Sequence, residues 1–186
     1  MKYILLAIIL SLLSIQAEDQ ISNPAKVDYD AFEKLVSEVK AHRKERLVNL
    51  DKFLSMTRED NIIILDTRSS AMYKSKHLKG AINLNFSDFT QNNLARKIPK
   101  FDTKILIYCN NNFEDDQVNF ATKIAAPPVN RNDGKQLTLA LNIPTYINLY
   151  GYGYKNVYEL SELVSVNDER IEFEGTSVIQ KQKKKN

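Results

Sequence analysis

A single cysteine in 186 residues excludes an internal disulfide, so Cys109 is either a buried, inert side chain or a free and reactive one. Histidine is scarce as well. His42 and His77, with one cysteine and no local ligand spacing, fall short of a zinc pattern, and neither a metal site nor a cofactor is expected. Gly151-Tyr152-Gly153-Tyr154 follows a predicted helix rather than a strand, which makes it a tight turn and not a nucleotide loop. Nor does charge of one sign dominate: 26 basic against 23 acidic residues leave a formal net of +3. Much of that excess lies in Lys181, Lys183, Lys184 and Lys185, whereas a nucleic-acid groove needs Lys and Arg gathered on a folded face. No internal repeat is present.

The apolar run from Tyr3 to Leu13 supplies about 11 to 13 apolar residues against the roughly 20 that a bilayer span requires. Lys2 precedes it, and Ser14-Ile15-Gln16-Ala17 and the acidic pair Glu18-Asp19 follow. That is the layout of a secretory signal peptide cleaved after Ala17. No cysteine follows the run, so lipid attachment there is excluded. The expected protein is exported, periplasmic or secreted, with no stable membrane anchor after processing. Its parts are a signal peptide (1–17), a lead-in and first helix (18–45), one folded domain (46–175) and a basic flexible tail (176–186).

An apolar content of 43% is enough for one domain with a real core. Asp28 can cap a helix running to about Lys44, on which Phe32, Leu35, Val36 and Val39 draw an apolar stripe. Residues 46–49 read as a short edge strand, and Asn49 or Asp51 can cap a second helix through Met56. Ile62-Ile63-Ile64-Leu65 and Ile105-Leu106-Ile107-Tyr108 are continuous apolar runs of the kind found in parallel sheets covered on both faces. A weaker strand covers 156–160. Helical stretches are expected near 117–125 and 136–150, separated by Pro127-Pro128 and a polar turn at 130–134. Alternating strands and helices imply an α/β fold with right-handed crossovers.

In such sheets ligands bind beyond the carboxyl ends of the strands. Two polar clusters occupy that position: Asp66-Thr67-Arg68, and the loop Cys109-Asn110-Asn111-Asn112-Phe113-Glu114. A cysteine at a strand end, followed by a loop leading into a helix, receives backbone N–H groups and the positive end of a helix dipole, both of which favour the thiolate. Asn110, Asn111 and Asn112 tolerate the left-handed conformation that an anion-binding nest requires. Asp66 and Arg68 are expected to tie the strand end to neighbouring loops. His77 and Gly80 read as a positioning turn, and His42 lies on the polar side of the first helix without an evident partner.

Four segments together resemble the rhodanese-like family: Leu65-Asp66-Thr67-Arg68, His77 to Leu84, Tyr108-Cys109, and Gly153 to Leu160. They occur in that family's order and spacing over about residues 46–175. The resemblance implies a parallel sheet of about five strands with helices on both faces. It also implies a persulfide-forming nucleophile at Cys109, with residues 110–114 surrounding its sulfur and Asp66 and Arg68 nearby. Active members often carry glycine three positions and arginine five positions after the cysteine; here these are Asn112 and Glu114. Glu114, Asp115 and Asp116 would raise the thiolate's cost and repel thiosulfate. A further departure is the long stretch 125–145, read as a lid or a docking surface for a protein partner. Two functions compete: a sulfurtransferase or sulfane-sulfur carrier serving a small donor and a thiol acceptor, and a silent binding module. A cysteinyl-phosphate mechanism finds no arginine in the loop to hold a dianion.

Overall fold

The computed structural model describes residues 25–125 and 137–178. The signal-peptide segment, Pro127-Pro128 with the polar turn, and most of the basic tail lie outside them. In chain order the elements are α1 (Tyr29–Lys44), β1 (Leu47–Val48), α2 (Leu50–Met56), β2 (Ile62–Asp66), α3 (Ser70–Ser75), β3 (His77–Leu78), β4 (Ile82–Asn83), α4 (Gln91–Lys97) and β5 (Lys104–Tyr108). They continue with β6 (Phe113–Glu114), β7 (Ile124–Ala125), β8 (Leu137–Thr138), α5 (Asn142–Gly151), β9 (Val157–Leu160), β10 (Val164–Ser165) and β11 (Phe173–Glu174).

The main sheet has five strands in the order β1-β9-β5-β2-β4, and its pairings are parallel. This is the α/β architecture expected, and the isoleucine-rich runs form its centre. Strand alternation divides the core into two layers. Leu106, Tyr108 and Leu160 face Phe53 and Met56 of α2, while Ile105, Ile107 and Val157 face α4 and α5. Parallel strands joined by helices must be covered on both sides, which is why these runs carry no polar alternation.

Local chemistry sets the helix ends. The Asp28 carboxylate accepts from Ala31 N–H at 2.9 Å, and Asn49 Oδ1 accepts from Lys52 N–H at 2.9 Å. At the end of α5, Gly153 takes a positive φ of 99°, which lets Tyr154 N–H bond back to Leu149 C=O at 2.9 Å.

Three expectations need correction. Residues 117–125 are not helical but form turns ending in β7, because Asn119 bonds through its backbone and side chain to the Asp116 carboxylate, and such local bonds compete with a helix. The later helix starts at Asn142 rather than 136. This start leaves Pro144 in the first turn, where its missing N–H removes no helical bond. On α1 only Val39 of the predicted stripe is fully buried, and Phe32 is 44% exposed.

That contrast is measurable. Val39→Ala should cost about 1–3 kcal/mol in denaturant unfolding, whereas Phe32→Ala should stay within about 0.5 kcal/mol of the parent.

Candidate active site

Cys109 directly follows β5, and the residue is 1% exposed. A single 3-10 turn, Asn110–Asn112, follows it and runs straight into β6. The helix expected directly after the cysteine loop is therefore absent. The helix dipole arrives from α5 instead, whose first residue has no side-chain cap. Backbone N–H groups of Asn142, Asn111 and Leu141 lie near enough to the sulfur to favour its anion. Burial pushes the Cys109 thiol above its ordinary range; the three N–H groups oppose this, and the Glu159 carboxylate adds to it. Burial wins, so the resting side chain is a thiol.

The loop's side chains do different work from one another. Asn112 Oδ1 accepts from Cys109 N–H at 2.9 Å and from Asn142 Nδ2 at 3.0 Å, while its Nδ2 donates to Leu160 C=O at 2.8 Å. It thereby locks the cysteine turn to α5 and β9. Asn111 pairs with both backbone groups of Lys123, at 2.9 and 3.1 Å. Phe113 turns its ring into the core against Tyr108, Phe120 and Phe173, so it offers nothing to a ligand. Glu114 is exposed, Asp115 accepts from Ser165 Oγ at 2.6 Å, and Asp116 pairs with Lys76 at 2.9 Å. The expected repulsion from these three acids is thus dispersed; Glu159, on β9, is the acid that bears on the thiol.

Asp66 and Arg68 do come together beside this loop. Asp66 is fully buried, and its carboxylate binds Arg68 Nε, Arg68 Nη2 at 2.7 Å and the Tyr108 hydroxyl at 2.6 Å. Burial and then the Asp66 charge hold the Tyr108 hydroxyl protonated, well above its usual range. Arg68 also donates to Lys76 C=O at 2.7 Å, Asn119 C=O at 2.9 Å and Asn110 Oδ1 at 3.4 Å. A guanidinium has five N–H donors, and this set occupies them all. Arg68 has no donor left for an anion.

A cavity of about 400 Å³ opens next to the loop. Met72, Val118, Ala121, Leu139 and Leu141 form the apolar part of its wall, and Asn110, Asn111, Ser69 and the two cations Arg68 and Lys123 form the polar part. The stem of the 125–145 stretch supplies part of that wall, with β7 and β8 paired antiparallel. A larger cleft of about 490 Å³ between α2 and β2 has no cysteine or histidine in its lining. His77 stacks on Tyr73 and bonds to its carbonyl at 2.6 Å, in keeping with a turn role. His42 does have a partner, the Tyr146 hydroxyl at 2.9 Å. What sequence reading missed is Asn142, Leu141 and Glu159; each reaches the cysteine through the fold rather than through spacing along the chain.

The model of the rhodanese-like domain matches residues 49–162. No curated protein matches the sequence. Among solved structures, the chain is similar to BH2092 protein from Bacillus halodurans, with 18% identity over 80% of this chain and 86% of that one and a TM-score of 0.46. It is also similar to a rhodanese with anions from E. coli, with 16% identity over 62% and 99% and a TM-score of 0.37. The polysulfide-sulfur transferase homodimer from Wolinella succinogenes gives 14% identity over 76% and 93% and a TM-score of 0.39.

Two outcomes follow from the geometry. Asp66→Asn should destabilise by about 3–5 kcal/mol in chemical unfolding because it leaves Arg68 buried and unpaired, and adding Arg68→Met should recover part of that loss. The thiol of the folded protein should titrate above that of the unfolded chain. The unfolded chain then releases its proton first, so stability falls as pH rises through that interval, and Cys109→Ala should abolish this fall.

Proposed function

The chain belongs to the rhodanese-like domain family, and from that premise we propose that Cys109 carries sulfane sulfur as a persulfide. The Cys109 thiolate attacks the outer sulfur of a donor R–S–SH, forming Cys109–S–SH, and the donor's inner sulfur leaves as R–S⁻ and takes up the thiol proton. An acceptor thiolate then attacks the outer sulfur of that persulfide and releases Cys109 as the thiolate. The observation that supports this most is the seating of Cys109 at the end of a parallel strand with Asn112 tying its turn to Asn142 at the start of α5, which brings the Asn142, Asn111 and Leu141 N–H groups near the sulfur to favour its anion.

The same surroundings favour an organic persulfide as donor over thiosulfate. Arg68 is saturated by its own partners, and the cavity beside the loop is largely apolar. A compact dianion would lose its hydration there with only the single ammonium of Lys123 to replace it, since the Arg68 guanidinium in the same wall has no donor to spare. Donor and acceptor are small thiols or protein thiols, the latter reaching the cavity along the 125–145 stretch. On the pattern at residues 1–17, the activity belongs outside the cytoplasm.

A second reading is supported by one observation, the 1% exposure of Cys109. If the walls formed by Asn111 and Leu141 never open, the cavity is a binding site and the cysteine is inert. Intact-protein mass spectrometry after exposure to glutathione persulfide, mercaptopyruvate and thiosulfate decides between the two, with Cys109→Ser as control. The carrier gains one sulfur on Cys109 from the persulfide and at least about tenfold less from thiosulfate, the equivalent of about 1.4 kcal/mol. No adduct with any donor supports the binding module.

A further inference from the structure

Helix α1 precedes the matched domain, yet its last turn reaches the strand beside Cys109. Arg43 donates from Nε and Nη2, each at 2.6 Å, to the two oxygens of Glu159. This is a bidentate grip on a residue that is only 5% exposed. Glu159 lies in β9 opposite Ile107 of β5, two positions before Cys109. Strand alternation puts Ile105, Ile107 and Cys109 on one face, and Val157 packs there with the isoleucines as the neighbour of Glu159 on the same side of β9. A rise of about 3.3 Å per residue and a strand spacing of about 4.8 Å separate the Cβ positions of Glu159 and Cys109 by roughly 8 Å. At that range an uncompensated carboxylate opposes a second negative charge on the sulfur.

Other titratable groups surround the clamp: the Tyr146 hydroxyl of α5 feels the Glu159 carboxylate as well as Arg46 and Arg43, whereas the Tyr158 ring turns to the opposite face of β9. Arg46 follows α1 and lies over the Tyr158 ring at 5.8 Å, and His42 bonds the Tyr146 hydroxyl of α5 at 2.9 Å. Tyr158 neighbours Glu159 on β9. Among the described residues, Arg43 is the one whose side chain is bonded to the Glu159 carboxylate.

We infer that Arg43 is a positioning residue for the nucleophile: its clamp offsets part of the buried Glu159 charge on the Cys109 face and so lowers the cost of forming the thiolate. An element added outside the family domain thereby adjusts the reactivity of the domain's cysteine. The use of that thiolate in sulfur transfer rests on the carrier reading, but the adjustment itself does not. It is read without any donor, from the pH dependence of the ¹³Cβ resonance of the single cysteine. This signal needs no solvent access to the thiol.

In the full chain, Arg43→Met should raise the midpoint of that titration by about one pH unit, a tenfold loss of thiolate at fixed pH. Glu159→Gln should lower it, and the double variant Arg43→Met/Glu159→Gln should return to the parent midpoint or below, although it lacks the same contact. A merely structural tie between α1 and the sheet would leave the double variant no better than the single one. An unchanged midpoint in Arg43→Met, or a double variant as high as Arg43→Met, overturns the inference. Should Arg43→Met fail to fold, Glu159→Gln carries the test, and an unchanged midpoint there overturns it equally. A protein that shows these shifts but takes up no sulfur retains the inference and loses the carrier reading.

Discussion

The fold around Cys109 hangs on one buried ion pair. Asp66 and Arg68 meet at the end of β2, two residues apart, with side chains that are essentially sealed from water. Isolated, either charge would be too costly to bury; together they succeed because every remaining lone pair and proton has a partner. Those partners lie on different parts of the chain: Tyr108 on β5, the Lys76 carbonyl at the end of α3, Asn119 in the turn after β6, and Asn110 in the cysteine turn. A hydrophobic pair in the same place could match the stability but could not hold four backbone segments in one register. The same saturation explains the chemistry of the cavity, because the nearest guanidinium is spent on architecture.

Cys109 experiences a contest between burial and backbone polarity. Burial favours the neutral thiol, and the uncapped start of α5 with the Asn111 N–H favours the anion. Asn112 keeps this contest in place, since one amide side chain links the cysteine's own N–H, Asn142 and the carbonyl at the end of β9. The anion-stabilising groups are therefore assembled from the turn and the start of a helix distant in sequence. The β7–β8 pair leads directly into Leu139, which shares the cavity lining with Leu141.

Much of this was legible before any coordinates. The apolar runs at 62–65 and 105–108 are of the kind found in parallel strands covered on both faces, and Asp28 and Asn49 are capping residues with helix patterns behind them; those elements formed as read. Cys109, Asp66 and Arg68 could be placed together because ligands and polar clusters gather at the carboxyl ends of parallel strands. The errors have a common origin. At 117–125 and 136–150, helix-compatible residues were overruled by side-chain bonds at Asp116 and Asn119 and by the position of Pro144. The thiol's partners Leu141, Asn142 and Glu159 carry no local signature, since an apolar residue, an amide and a strand carboxylate gain their roles only when α5 and β9 pack beside β5. Acidity read along the loop misled for the same reason: Asp116 found Lys76, and Glu114 faces solvent.

That the start of α5 shares the sulfur's polar cradle with Asn111 of the cysteine's own turn is the premise on which the rest depends. Amide ¹H–¹⁵N shifts of the parent and of Cys109→Ser at neutral pH test it most directly. Large changes are expected at Leu141 and Asn142, far along the chain from the substitution, together with Asn111. If the amides of Leu141 and Asn142 stay unmoved while changes are confined to 108–114, the cradle is local and the account is wrong.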